Sequence, residues 1–242
     1  MTVMLDVLWR MLPVTLSVMA SPVAILAVLG MLQSSHPLLV NVCYLGGWVV
    51  ATSGSLVFWL AVLSYFGISE AHTGSALATA LHASISVLCF AGAVWSYRRA
   101  RATLTRLAAA RTLDEFAAAA PQLPGLVKDS VGYGARRSFV VGLGVFLLNP
   151  TNVSLVAATA IDLLNAHVSS VQVVGLSIGF VVAVSLPLAL PVIAVTAGRR
   201  APDRLITRVR GWVLRNNGFI RASMLLVVGF LQLTRAVTGG PP

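Results

Sequence analysis

The sequence predicts an all-α integral membrane protein with six transmembrane helices, and three observations predict it. Only 10% of the residues are charged, 57% are apolar and the mean hydropathy is +0.89, whereas a soluble chain carries about 25% charged residues. The apolar residues gather into six runs, each long enough for the roughly 20 residues that cross a hydrocarbon core. The basic residues gather in two of the five connections between those runs.

The runs cover residues 4–32, 38–66, 74–97, 138–164, 168–197 and 218–237. Connections 33–37, 69–73 and 165–167 are short and contain neither Arg nor Lys. Residues 98–137 hold Arg98, Arg99, Arg101, Arg106, Arg111, Lys128, Arg136 and Arg137, and residues 199–221 hold Arg199, Arg200, Arg204, Arg208, Arg210, Arg215 and Arg221. Six spans put both basic connections on one side. The positive-inside rule makes that side cytoplasmic, with both termini outside an inner (plasma) membrane.

The formal net charge is +10. In a soluble protein that excess points to nucleic acid, but these arginines lie between apolar runs, where topology places them, so no nucleic-acid partner is expected. The chain divides into a first three-helix repeat (1–97), a basic cytoplasmic connection (98–137) and a second three-helix repeat (138–242). In the first basic connection, Thr112-Leu113-Asp114-Glu115 has the spacing of a capping box, and Pro121 ends the short helix it starts. Within the second, Leu205, Val209, Trp212 and Val213 share a helical face with Arg204, Arg208 and Arg215 beside it. That pattern predicts an interfacial helix over 199–217 lying on anionic lipid. The tail, 239–242, is expected to be irregular.

Spans one and four match. Ser21-Pro22 and Asn149-Pro150 occupy similar places, and Gly47 and Gly175 each follow the respective proline by 25 residues. Three spans per half turn the second half upside down, the inverted repeat of many secondary transporters. An intrahelical proline deprives the carbonyl four residues back of its donor, here Val18 and Phe146. In hydrocarbon such a carbonyl needs another partner or a water-filled cavity. The candidate substrate or ion path is therefore Ser17, Ser21, Pro22, Asn149, Pro150, Thr151 and Asn152. Asn149 sits about 17 Å into its run at the helical rise, close to the midplane.

Ionisable residues inside the runs are few. His82, about 12 Å into run three, and Asp162, near the outer end of run four, are the candidate proton carriers. Gly46, Gly47 and the GxxxG pair Gly175 and Gly179 are expected at close helix contacts, and GxxxG leaves a homodimer open. Cys43 and Cys89 read as two buried thiols, with no metal site. The sequence has no GxSxG, no HExxH and no paired intramembrane aspartates, so neither an enzyme nor a cofactor is expected. Without a P-loop, a proton or substrate gradient is the expected source of energy.

Met19-Ala20-Ser21-Pro22, Leu45-Gly46-Gly47-Trp48 and Leu148-Asn149-Pro150-Thr151-Asn152 resemble the Gap/Sap family. These are actinobacterial proteins named for addressing glycopeptidolipid or sulfolipid to the mycobacterial surface, and they are similar to the LysE superfamily of exporters, which includes amino-acid exporters. The resemblance covers nearly the whole chain and implies a LysE-like fold. The family's second-half signature reads Asn-Pro-Lys-Asn. Thr151 stands at its Lys, so the fixed cation is missing; Ser21 stands where some relatives carry Asp, so that carboxylate is missing too. The resemblance implies export of a lipid, glycolipid or related amphiphile across the inner membrane by alternating access, with membrane lipids as partners. Two other readings stand beside it: export of a small polar solute such as an amino acid, and a non-transporting membrane partner of a lipid-synthesis complex.

Overall fold

A computed structural model describes residues 2–32, 34–65, 76–109, 134–166, 168–196 and 203–238. The readings made at residues 112–121 and 239–242, and at the side chains of Arg204, Leu205 and Val209, lie outside what it describes. Eight helices follow one another among the described residues: α1 (Thr2–Met19), α2 (Pro22–Met31), α3 (Pro37–Tyr65), α4 (Ala76–Ala109), α5 (Ala135–Leu147), α6 (Pro150–Asn165), α7 (Ser170–Thr196) and α8 (Asp203–Thr238). The order short, short, long, long occurs twice. α1 and α2 meet at a bend of 48°, and α5 and α6 at 68°.

α3, α7 and α8 are long and apolar enough to cross a bilayer, and the two bent pairs raise the count to five. The chain is a multi-pass membrane protein. The expectation of six spans adds α4, whose apolar part continues without a break into the arginines from Arg98 to Arg106. Likewise, the segment expected as an interfacial helix over 199–217 is, from Asp203 onward, the first four turns of α8. A helix does not stop where the hydrocarbon does. The Arg-rich ends carry good helix formers, so backbone hydrogen bonding continues beyond the apolar stretch.

The outer helices turn apolar side chains outward, as lipid contact requires. On α7, Val171, Val174, Ile178, Val182, Leu186, Leu190 and Ile193 form one exposed stripe, while Leu176, Phe180, Val184, Leu188 and Val192 form the buried one. The half-helices after the bends are the most enclosed parts of the bundle. α2 is buried over Leu26–Met31, and α6 is buried at Asn152, Leu155 and Val156 and again from Ala158 to Leu163.

The extensive contacts all join the first half of the chain to the second. α3 packs on α5, α6 and α7; α1 packs on α6 and α7; α4 packs on α8. The α4–α8 pairing is antiparallel. His82 meets Gln232, Ser86 meets the Gly229 carbonyl, Tyr97 meets Phe219, and Gly218 lies under Ala100. Each step forward on α4 is thus a step backward on α8. The paired stretch of α4, 82–100, is about 27 Å long at the helical rise, close to the thickness of a hydrocarbon core.

The crossing of α3 and α5 is reciprocal. A Cβ on Gly47 would fall on the carbonyl oxygen of Phe139, and a Cβ on Gly142 would fall on the carbonyl oxygen of Tyr44. Backbone meets backbone there, and Trp48 packs edge-on to Phe146 beside it, ring centroids 5.1 Å apart. Gly46 makes only an ordinary contact with Phe139, and Gly175 and Gly179 have no atom within 4 Å of a built Cβ. The GxxxG of α7 therefore faces outward rather than into a helix contact of this chain. Cys43 is half-buried and Cys89 buried, and neither forms a disulfide.

Gly142→Val is expected to cost more than the about 1–3 kcal/mol of ordinary overpacking, because the obstacle is backbone. Gly175→Ala is expected to stay within about 0.5 kcal/mol. Thermal unfolding of the purified variants in detergent measures both.

Candidate functional site

The two bends are built alike. A residue that precedes proline is driven out of the α region, and Ser21 (φ −62°, ψ 104°) and Asn149 (φ −94°, ψ 100°) both adopt extended geometry. Each becomes the N-cap of the half-helix behind it. Pro22 and Pro150 then occupy the first helical position, where a missing N–H costs nothing and the fixed φ suits the helix.

The carbonyls expected to be left open are not open. The Ser21 N–H donates to the Val18 carbonyl at 3.1 Å, and the Asn149 N–H donates to the Phe146 carbonyl at 3.2 Å. A tighter i→i+3 turn replaces the bond that proline removes. Beyond each bend the helix restarts with Ile25 N–H donating to the Ser21 carbonyl and Val153 N–H to the Asn149 carbonyl. What remains unmet is on the donor side, at the new N-termini.

The caps differ in their side chains. Asn149 Oδ1 accepts from the Thr151 N–H at 3.2 Å, so this asparagine serves its own helix. Ser21 makes no side-chain cap, and its buried hydroxyl has no hydrogen-bond partner. Asn152, one turn into α6, is 2% exposed, and its Nδ2 has no partner either. Ser17 donates to the Pro13 carbonyl at 2.8 Å and touches Met224 Sδ of α8. Trp48, packed on Phe146, keeps its indole N–H buried without an acceptor. Pro150 is exposed and Thr151 half-buried. Of the seven expected path residues, Ser21 and Asn152 thus combine burial with unused hydrogen-bonding capacity.

A second polar cluster lies at the other end of α6. Asp162 pairs with Arg235 of α8 at 2.8 Å, side chains 7% and 13% exposed. The second guanidinium nitrogen donates to the Arg10 carbonyl of α1 at 3.4 Å. One turn earlier on α8, buried Gln232 meets His82 Nδ1 at 2.6 Å. The two candidate proton carriers, on α4 and α6, thereby each have a partner on α8. Arg235 is the residue that sequence reasoning passed over. It is an arginine inside an apolar run, a position that demands a counter-charge, and Asp162 was the acidic residue available inside another.

A family model described as "Sap, sulfolipid-1-addressing protein" matches residues 11–238. No curated protein and no solved structure matches the chain.

Asn149→Ala removes a cap and is expected to cost about 1 kcal/mol of stability. Asp162→Leu strands a buried arginine and is expected to cost about 3–5 kcal/mol, most of it recovered in Asp162→Leu/Arg235→Leu. Unfolding midpoints of the four proteins in this double-mutant cycle provide the check.

Proposed function

The chain belongs to the family of Sap, the sulfolipid-1-addressing protein, and on that footing we propose that it is a secondary transporter. In this reading it moves a lipid, glycolipid or related amphiphile outward across the inner membrane. The observation that carries it is the pair of proline bends of like backbone geometry, each leading into a deeply buried half-helix that starts with unused donors. Discontinuous helices of this kind mark substrate sites near the midplane of transporters. A structural helix pair does not need two such breaks, because buried polar groups without partners are costly in hydrocarbon.

α4 serves as the sixth span, side by side with α8 over about the thickness of the hydrocarbon. Spans one to three and four to six then run in opposite senses, both basic ends are cytoplasmic and both termini are outside. The chain carries out transport without catalysis or a bound cofactor. The moving units are not the two sequence halves, because the helices of each half pack chiefly on those of the other. The α3–α5 crossing and the α4–α8 pair are the natural rigid bodies, with the buried α2 and α6 between them. The Asp162–Arg235 pair closes the outer end by tying α6 to α8 and, through the Arg10 carbonyl, to α1. A proton on Asp162 releases that tie, and His82, which meets Gln232 one helical turn before Arg235 on α8, is the second group that can carry one.

In a strain lacking the native protein, Ser21→Ala/Asn152→Ala is expected to restore membrane protein levels but not the surface appearance of the exported amphiphile. Comparative lipid and metabolite profiling of the cell surface reads this out. Full export by this variant overturns the site. Full export combined with its loss in Arg101→Gln/Arg106→Gln/Arg208→Gln moves the function to the basic ends, as a membrane partner of a lipid-synthesis complex. Loss of an exported amino acid, with lipids unchanged, replaces the amphiphile with a polar solute.

A further inference from the structure

α3 carries a polar stripe along its length. Asn41, Tyr44, Trp48, Thr52, Ser55 and Trp59 follow one another at intervals of three or four residues, which places them within a band about 80° wide at the helical pitch. The band is about 27 Å long at the helical rise, close to the thickness of a hydrocarbon core. It does not face lipid. Asn41, Tyr44, Trp48, Thr52 and Ser55 are buried and Trp59 is half-buried, while Val42, Val50 and Val57 are among the side chains that α3 exposes instead.

Polar side chains between membrane helices serve as glue when they hydrogen-bond across the contact, and the α4–α8 pair uses them so: His82 meets Gln232, and Ser86 donates to the Gly229 carbonyl. The stripe of α3 behaves differently. Asn41 Nδ2 donates to the Pro37 carbonyl at 2.7 Å and the Thr52 hydroxyl to the Trp48 carbonyl at 2.9 Å, both within α3. Asn41 Oδ1 and the indole N–H groups of Trp48 and Trp59 are buried with no partner. Among the described residues, Tyr44 is the member that reaches another helix, donating to the Ala24 carbonyl of α2 at 3.3 Å. One turn on, Trp48 lies against Phe146 in the last turn of α5, so a single turn of α3 touches both bent pairs. Unpaired polar groups in hydrocarbon are costly, and the environment that relieves the cost is a water-lined cavity.

We propose that this stripe is one wall of the transport path, closed in the present conformation and lined by water when α3 and α5 move together away from α2, α6 and α7. The inference rests on the transporter reading and names the surface along which the polar part of the cargo travels. α3 packs on each of these helices. It stays with α5 because backbone meets backbone at Gly47 and Gly142, whereas the hydrogen bond that gives way on the α2 side is the one from Tyr44 to Ala24. The stripe has no formal charge and offers both donors and an acceptor. It therefore solvates water and uncharged hydroxyl or amide groups, and it has nothing that holds an ion in place.

The full-length protein in phosphatidylcholine nanodiscs is treated with a charged, membrane-impermeant methanethiosulfonate, which reacts with thiols that meet water. Cys43→Ala removes the half-buried native thiol, and Cys89, buried where α4 packs against Gly229 of α8, is kept as the internal reference. Thr52→Cys or Ser55→Cys then adds one thiol to the stripe with little change of volume. Peptide mass spectrometry is expected to show the added thiol labelled at least about tenfold faster than Cys89 in the same molecule, because opening of the path wets the first and only wider unfolding wets the second. The ratio within one molecule also cancels any loss of stability that the substitution brings. Labelling of both added thiols no faster than Cys89 overturns the proposal and makes the stripe a permanently dry helix contact. The labelling is read on purified protein, so it fails independently of export. A sealed stripe in a protein that still exports an amphiphile removes this path and keeps the transporter; a stripe that opens in a protein that exports no amphiphile keeps the water-lined wall and removes that cargo.

Discussion

Everything in this bundle depends on how the backbone hydrogen bonds are satisfied at two interruptions in hydrocarbon. A lipid core supplies no water, so an unmet carbonyl or amide is expensive there. The chain answers the acceptor half of the problem locally: Val18 and Phe146 keep their carbonyls bonded through the i→i+3 turn to Ser21 and Asn149. The donor half is not answered by the backbone. It is answered by a side chain at Asn149, and the side-chain donors of Ser21 and Asn152 have no partner in the chain.

The charged groups obey the same economy at a different depth. Asp162 and Arg235 are each too costly to bury alone, and together they stitch α6, α8 and α1 at one end of the bundle. The opposite end carries the arginines of α4 and α8. Polarity therefore changes along the bundle in three steps: an exposed basic end, a middle with unpartnered donors at Ser21 and Asn152, and an end held by the Asp162–Arg235 pair.

The bends were legible in the sequence because proline acts locally: Ser21-Pro22 and Asn149-Pro150 announce a break wherever they fall. The path residues inherited that legibility in part. Proline says that a carbonyl loses its donor, but not that the turn before it supplies another, so attention fell on the wrong half of the hydrogen bond. The positions that required three-dimensional pairing were not legible. Gly47 and Gly175 share an offset from their prolines, yet Gly47 meets the α5 backbone while Gly175 faces outward. The true counterpart of Gly47 is Gly142, on a helix that a count of residues from the proline does not reach. Arg235 and Asp162 are 73 residues apart, and no local periodicity connects them. Hydropathy located the membrane but not the helix ends, which is why an interfacial helix was expected where α8 simply begins.

The interleaving of the two halves bears on how such a chain assembles. A ribosome delivers α1 to α4 before α5 exists, and those four helices have few contacts to make with one another. The first half must wait in the bilayer as loosely associated spans, its glycine-notched surface on α3 and the inward face of α4 held open by lipid alone. Only the arrival of α5 and then α8 completes them. Biogenesis is consequently late and all-or-none, and a chain truncated after α4 is a natural target for membrane quality control rather than a half-functional protein.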